Sequence, residues 1–216
     1  MRVSDQLREA LKAHTRSELR RPKRAAVLVG LIEDEGEPRL LLTRRADSLG
    51  THGGEVAFPG GMMDPSDRGS DHAALREAHE EVNLPPSAVE LLGPLDDMMP
   101  KSRSVAVTPW VGVIRDLPPL KANPSEVAHI FEVPLRDLYQ HERWRVDPVM
   151  WGGREWPLFS FEHEGERLWG LSAYITLVTL SFTRRGAPLD LKWRELNAQQ
   201  LAFERAQSSS QQGGAS

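Results

Sequence analysis

The chain has 216 residues, a formal net charge of −4 and no cysteine. This length suits one domain with a substantial core, and the lack of cysteine excludes a disulfide framework and thiol catalysis. The negative charge argues against a protein that coats nucleic acid. No apolar run is long enough for a membrane span, and the N-terminus lacks the apolar segment of a signal peptide. We therefore expect a cytoplasmic protein that binds neither nucleic acid nor membranes.

Helical and strand patterns alternate through the first half of the chain. Residues 3–19 have the spacing of an amphipathic helix, and a second helix is predicted over 70–82. Runs of apolar or alternating residues predict strands at 25–33, 38–44, 56–58, 89–93 and 104–115.

The second half predicts further strands and two helices. A short helix is expected at 135–139 and an apolar helix at 171–182. Strands are predicted at 130–133, 144–149, 158–162 and 167–169. From residue 198 the chain is rich in Gln, Ser and Gly, which is typical of a disordered tail. We predict an α+β fold with one domain over 1–197 and a polar tail over 198–216.

Three carboxylates lie on one face of the predicted helix 70–82. Glu77, Glu80 and Glu81 follow the i, i+3, i+4 spacing of neighbouring side chains on a helix. Like charges on one face are unfavourable without a counter-charge, and hard cations such as Mg²⁺ prefer oxygen ligands together with substrate phosphates. A solvated acidic surface explains the same pattern without function, because charged faces usually serve solubility.

The residues around this acidic face support the helix assignment. Ser70 suits the N-cap, and Asn83 suits the left-handed residue that ends a helix. Arg76 precedes Glu80 by four residues, so its guanidinium can orient that carboxylate.

Residues 60–84 resemble the Nudix box, Gly-x5-Glu-x7-Arg-Glu-apolar-x-Glu-Glu-x-Gly-apolar. The chain departs from it at Asp67, which replaces Glu, at one extra residue before Arg76, and at Asn83, which replaces Gly. The matching positions are Gly61, Arg76, Glu77, Ala78, Glu80, Glu81 and Leu84.

A second motif adjoins the first. Residues 41–61, LLTRRADSLGTHGGEVAFPGG, resemble the additional motif of coenzyme A-type Nudix hydrolases. Gly50 stands where that pattern has Arg. Residues 125–135 and 168–175 resemble later elements of the same subfamily more loosely.

The resemblance implies an α/β/α sandwich around a mixed sheet and metal-dependent cleavage of a diphosphate. Mg²⁺, or alternatively Mn²⁺, would be bound by Glu77, Glu80, Glu81 and the Gly61 carbonyl. The expected substrate is coenzyme A or a derivative, and the products are 3′,5′-ADP and 4′-phosphopantetheine. Glu77 and Glu126 are the two candidates for the proton acceptor, and Glu126 can equally be an ordinary surface residue.

The substrate phosphates require cations. Arginine binds phosphate in bidentate geometry, and glycines allow close approach of the backbone to a ligand. Phe58 and Trp110 could stack on adenine, although both suit a buried core. The sequence leaves a homodimer open. The substrate-binding candidates are Arg44, Arg45, Gly60, Gly61, Lys101 and Arg103.

Three other functions stay open at this point. The substrate can be a different nucleoside diphosphate derivative, such as ADP-ribose, NADH or a dinucleotide. The domain can bind a nucleotide without catalysis, although all three box carboxylates are present. The basic cluster at 16–24 can bind nucleic acid, but no aromatic residues are interleaved with it.

Overall fold

A computed structural model describes residues 1–19, 21–50, 52–100, 105–151 and 153–189, without the side chains of Trp151 and Arg154. The predicted tail and the end of the predicted domain at residue 197 lie outside the described residues. Lys101 and Arg103 also lie outside them.

The described residues contain four α-helices, α1 at Val3–Ala13, α2 at Ser70–Val82, α3 at Leu135–Leu138 and α4 at Gly170–Ser181. None of these helices is long and apolar enough to cross a membrane.

The first helix ends earlier than the predicted residue 19. Ser17 donates its backbone N–H to Asp96 Oδ1 at 2.8 Å, and Leu19 donates to Asp97 Oδ2 at 2.9 Å. These long-range hydrogen bonds replace the helical ones, so the segment after Ala13 lies against the loop that follows a later strand.

The strands form two sheets. The larger sheet contains β1 (Arg24–Ile32), β2 (Arg39–Arg45), β3 (Val56–Ala57), β4 (Gly60–Met62), β5 (Glu90–Pro94), β6 (Ala106–Ile114) and β7 (Val127–Pro134). The smaller sheet contains β8 (Trp144–Trp151), β9 (Arg154–His163) and β10 (Glu166–Trp169). Strands β7, β8 and β9 are longer than predicted, because each pairs along a neighbouring strand beyond its apolar run.

The larger sheet is mixed. β1 and β6 pair in parallel over nine residues of each strand, and the other pairs are antiparallel. β2 pairs with β7 along one edge and with β1 and β3 along the other. The β4 strand pairs with the first half of β1, which brings Gly60 and Gly61 beside Val27 and Ala26.

Both faces of the larger sheet are buried. One face packs on α2 through residues that include Leu28, Leu41 and Ala78. The other face packs on α1, α4 and the smaller sheet, with Val29, Leu42 and Phe161 in the contact. This arrangement confirms the predicted α+β fold, a sandwich of helices around a mixed sheet, to which the smaller sheet adds a further element.

Candidate active site

The acidic helix α2 covers the predicted residues 70–82, but its N-cap differs from the prediction. Gly69 is the N-cap of α2, and Ser70 is the first helical residue, so the prediction of a Ser70 cap is wrong. The Ser70 hydroxyl instead accepts a hydrogen bond from Trp110 Nε1 at 2.9 Å. The other end is as predicted, because Asn83 ends the helix in the left-handed conformation with φ of 57°.

Arg76 is the central cation of the site. Its Nε and Nη2 atoms donate to the two carboxylate oxygens of Asp67 at 3.0 and 2.9 Å. Its Nη1 atom donates to Glu77 and to Glu80, at 2.9 Å each. The hydrogen bonds from Arg76 hold the pKa of Asp67 well below its usual range. Asp67 is shorter than the Glu of the motif, but it still fixes Arg76. Arg76 in turn holds two of the three box carboxylates, Glu77 and Glu80.

Glu77 lies directly against the glycine turn. A Cβ atom at Gly61 would stand 2.5 Å from each carboxylate oxygen of Glu77, so any side chain there would displace that carboxylate. Burial raises the pKa of Glu77, while the hydrogen bond from Arg76 opposes the rise. The repulsion by Glu80 and Glu126 raises this pKa further.

Glu81 is the most buried of the three carboxylates, with 4% of the residue exposed. Its Oε2 atom accepts the backbone N–H of Gly60 at 3.0 Å, and its Oε1 atom lies 3.8 Å from Arg45 Nη1. Burial raises the pKa of Glu81 to about 7, against the opposing effects of Gly60 and Arg45. Glu77 and Glu126 add to the rise through charge repulsion.

Glu80 and Glu126 complete the group of carboxylates. Glu80 is half-exposed and is paired with Arg76. Glu126 lies in the turn immediately before β7, and its charge acts on both Glu77 and Glu81. The structure therefore brings together all four carboxylates that the sequence selected, from α2 and from a turn more than 40 residues away.

The residues fit a divalent cation by their chemistry. Among the described residues, no three Asp, Glu or His side chains stand in a metal-binding arrangement. Glu77 and Glu80 are hydrogen-bonded to Arg76 instead. Glu81, however, is a buried carboxylate whose nearest cation is 3.8 Å away. Carboxylate and carbonyl oxygens are the ligands of hard cations. A bound cation would relieve the repulsion among Glu77, Glu81 and Glu126.

The adjacent arginines Arg44 and Arg45 reach opposite sides of the larger sheet. Arg45 extends toward Glu81 on the α2 side, whereas Arg44 Nε lies 3.5 Å from Glu166 of the smaller sheet. Arg44 also lies 3.8 Å from Asp47. The Nε atoms of both arginines are buried and find no hydrogen-bond partner among the described residues. The two arginines therefore cannot serve one phosphate in this arrangement.

The glycine turn also requires close backbone packing. A Cβ atom at Gly60 would stand 2.4 Å from the Ala26 carbonyl oxygen and 2.6 Å from the Val27 Cα atom. Neither backbone atom can move without disturbing β1. Gly60 therefore places its N–H on Glu81 by lying against the sheet.

The two aromatic candidates belong to the packing. Phe58 is 2% exposed and lies in the core on the side of the smaller sheet, and Trp110 packs against the α2 core. In the N-terminal basic cluster, Arg16 and Arg24 pair with the buried Asp97.

Several contacts of the site have no signal in the sequence. His72 Nδ1 lies 2.8 Å from Asp67 Oδ1, and Glu166 lies 3.0 Å from His129 Nδ1 as well as near Arg44. Asn123 bonds to the end of α2. Only the Asn-Pro-Ser turn composition at 123–125 indicates a structured loop, and none of these contacts follows from a local pattern.

Comparison with known proteins decides the family. The NUDIX domain model matches residues 21–151 of this chain. This protein is a member of the Nudix hydrolase family. Members of this family are pyrophosphohydrolases that act on acid anhydrides, and they generally use divalent metal ions. This Nudix hydrolase acts on nucleoside diphosphate derivatives.

Curated relatives agree with this assignment. A protein named Uncharacterized Nudix hydrolase NudL from Photorhabdus laumondii is 41% identical over 153 residues, which cover 71% of this chain and 81% of the relative. The NudL protein of Yersinia pestis is 42% identical over the same length and is covered to 76%.

Solved structures show weaker likeness. An Ap4A hydrolase from C. elegans has a TM-score of 0.44 and 23% identity, with 53% of this chain and 82% of that chain covered. A MutT/nudix family protein from Enterococcus faecalis has a TM-score of 0.45 and 16% identity, with 73% of this chain and 54% of that chain covered. Likeness at this level carries no weight for substrate or mechanism.

Proposed function

We propose that this Nudix hydrolase cleaves the diphosphate bond of coenzyme A or of a coenzyme A derivative. The products are 3′,5′-ADP and 4′-phosphopantetheine. The supporting observation is the position of Arg45, a residue of the coenzyme A-type motif. It lies 3.8 Å from the buried Glu81 and keeps a buried Nε atom without a partner. The motif therefore places a guanidinium group beside the carboxylates.

Glu77, Glu80, Glu81 and the Gly61 carbonyl would hold Mg²⁺, with Mn²⁺ as an alternative. When bound, the cation neutralises the diphosphate oxygens and lowers the pKa of a coordinated water. The residues fit because Glu81 is buried with incomplete charge compensation and because Gly61 leaves space against Glu77.

Arg76 orients the carboxylates before substrate binds. It holds Glu77 and Glu80 through one nitrogen and stays fixed to Asp67 through two others. Glu77 and Glu80 can therefore leave Arg76 for a cation while the guanidinium remains in place. This reduces the reorganisation that accompanies binding.

Proton transfer requires a carboxylate that is free to accept. Glu126 lies near Glu77 and Glu81 and is not among the box residues that hold the metal in this proposal. We assign it as the proton acceptor for the attacking water, and Glu77 is the alternative. General base catalysis of this kind contributes roughly 10²- to 10⁴-fold to the rate.

The phosphates of coenzyme A would be divided between two groups of cations. Arg45 would bind the diphosphate, because it lies on the same side of the sheet as the carboxylates. Arg44 lies on the other side, beside Glu166, and is a candidate for the separate 3′-phosphate together with Lys101 and Arg103. Gly60 and Gly61 would let the protein backbone approach the substrate closely, as the two motifs imply.

The same proposal covers the organisation of the chain. We propose that residues 1–197 form one Nudix domain in the cytoplasm. The packing of α1 in the same core as β1 and β2 supports a single unit.

The deciding experiment is a substrate panel with product identification. Purified protein with Mg²⁺ is incubated with coenzyme A, dephospho-coenzyme A, ADP-ribose, NADH and a diadenosine polyphosphate, and the products are identified by mass. We expect the highest kcat/KM for coenzyme A, with release of 3′,5′-ADP. Preference for ADP-ribose, NADH or the dinucleotide would contradict the substrate proposal. Binding of nucleotides without turnover of any would contradict the enzymatic proposal.

A further inference from the structure

The turn at residues 123–126 immediately precedes β7 and is hydrogen-bonded to the end of α2. We propose that Asn123 is a positioning residue that fixes the carboxylate of Glu126 relative to Glu81. The inference rests on the proposed function, in which Glu126 accepts the proton of the attacking water. Asn123 belongs to neither of the two family motifs.

The first connection runs from the turn to the acidic helix. The backbone N–H of Asn123 donates to the carbonyl oxygen of Glu81 at 2.8 Å. The backbone N–H of Lys121 donates to the carbonyl oxygen of Val82 at 3.0 Å. The last carbonyl groups of a helix have no partner within the helix. The segment 121–123 supplies these partners, so its position is tied to the turn of α2 that contains Glu81.

The second connection runs from Asn123 to Glu126. The carbonyl oxygen of Asn123 accepts the N–H of Glu126 at 3.0 Å and the N–H of Val127 at 2.8 Å. The Glu126 carbonyl in turn accepts the N–H of Ala46 at 2.8 Å, beside Arg45. Both peptide groups of Glu126 are therefore fixed, one through Asn123 and one through Ala46, the residue after β2.

The side chain of Asn123 stabilises this turn. Its Oδ1 atom accepts the backbone N–H of Ser125 at 3.2 Å and the Ser125 hydroxyl at 2.7 Å. Asn and Asp both favour such turns because a short side-chain oxygen can bond to the backbone two residues on. An alanine at this position keeps the backbone hydrogen bonds but removes the group that holds the turn closed.

From this arrangement we expect the loss of Asn123 to lower the rate of turnover without weakening substrate binding. The charge of Glu126 acts on both Glu77 and Glu81. A small movement of the turn would therefore change the distance from Glu126 to the attacking water of the proposed reaction. A misplacement of about 1 Å can reduce turnover by roughly 100-fold. Asn123 itself contacts the turn and α2, so its loss should leave the binding of the diphosphate nearly unchanged.

The test is a double-mutant cycle on the full chain with Mg²⁺ and coenzyme A. We expect Asn123→Ala to lower kcat by about 10- to 100-fold with little change in KM. Asn123→Asp, which retains the acceptor, should recover most of this loss. In the Glu126→Gln background, Asn123→Ala should have almost no further effect, because the group that it positions is already absent. Thermal melting of each variant separates this result from loss of folding, and Ser125→Ala, which removes only the hydroxyl partner, serves as a milder variant.

Several results would overturn the inference. These are an unchanged kcat in Asn123→Ala, an equal loss in both backgrounds, or full activity of Glu126→Gln. If the wild-type protein does not cleave coenzyme A, the proposed function has failed, and the cycle is run with whichever diphosphate of the panel is hydrolysed. The positioning role of Asn123 is then decided by the same comparison, independently of the substrate.

Discussion

The backbone N–H of Gly60 donates to Oε2 of Glu81 at 3.0 Å, so the glycine turn and the acidic helix hold one carboxylate between them. This contact is possible because Gly60 lies against the backbone of β1, where a side chain would not fit. The remaining oxygen of Glu81 faces Arg45 of the neighbouring motif. The two family motifs therefore meet at Glu81.

Replacing the box carboxylates should abolish most of the activity without unfolding the protein. We expect Glu81→Gln and Glu80→Gln each to lower kcat by roughly 100-fold or more, because each removes a charge that would hold the metal. Circular dichroism should show unchanged secondary structure. The exposed Glu9 of α1 provides a matched control, and Glu9→Gln should retain full turnover. Near wild-type turnover of Glu81→Gln would exclude a metal role for this residue.

The stability of the metal-free protein should depend on pH through Glu81. Its folded-state pKa is about 7 against an ordinary value of 4.5, so the folded state binds more protons between these two values. The free energy of unfolding should therefore fall as the pH rises through this window, by about 3 kcal/mol in total. Urea unfolding in EDTA from pH 4.5 to 8 measures this directly.

The matched variant for this measurement is Glu81→Gln. It should flatten the pH dependence and make the metal-free protein more stable than wild type at pH 8. Addition of Mg²⁺ should stabilise the wild type most at high pH, where Glu81 is ionised. Identical pH profiles for the two proteins would show that Glu81 does not retain its proton in the folded state.

A methyl group at Gly61 should disturb Glu77 selectively. Its Cβ atom would lie 2.5 Å from the Glu77 carboxylate, so that side chain must move away. We expect Gly61→Ala to lower kcat by about 10- to 100-fold and to weaken activation by Mg²⁺. Gly50→Ala is the control, because nothing lies within 4 Å of a Cβ atom at Gly50. Equal activity of the two variants would contradict the importance of this contact.

Asp67 should be required for the stability of the Arg76 network. The Asp67 side chain is fully buried and holds two nitrogens of Arg76. We expect Asp67→Ala to lower the free energy of unfolding by about 1 kcal/mol, because it leaves partly buried guanidinium donors unpaired. His72→Ala removes only one contact at the protein surface and should cost much less. Chemical denaturation of both variants tests this order.

The two neighbouring arginines should differ in their substrate dependence. Arg45→Ala should lower kcat/KM for coenzyme A and dephospho-coenzyme A alike, by about 10-fold or more, because it removes a charged partner of the diphosphate. Arg44→Ala should affect only coenzyme A, which carries the 3′-phosphate. Steady-state kinetics on both substrates separates these effects. An equal loss on both substrates in Arg44→Ala would contradict its assignment to the 3′-phosphate.

Local patterns in the sequence predicted most of the secondary structure. The apolar run of β1 and the spacing within α2 indicate their conformations directly, and Asn83 predicted the end of α2 because the left-handed conformation is a local property. The face shared by Glu77, Glu80 and Glu81 follows from helix geometry alone. Metal-dependent diphosphate chemistry was therefore a prediction from the sequence, as was the Nudix family, which the comparisons confirm.

Which distant groups meet at the site depends on contacts between segments far apart in the chain. Residues after Ala13 leave the helix because Asp96 and Asp97 bind their backbone N–H groups, and Ser70 gives up the cap position while bound to Trp110. The placement of Glu126 beside α2 depends on hydrogen bonds between segments far apart in the chain. The residue types and their local geometry follow from the amino-acid pattern alone. The opposite directions of Arg44 and Arg45, and the burial that raises the pKa of Glu81, depend on how the layers pack, because long-range contacts leave no periodic signal in the sequence.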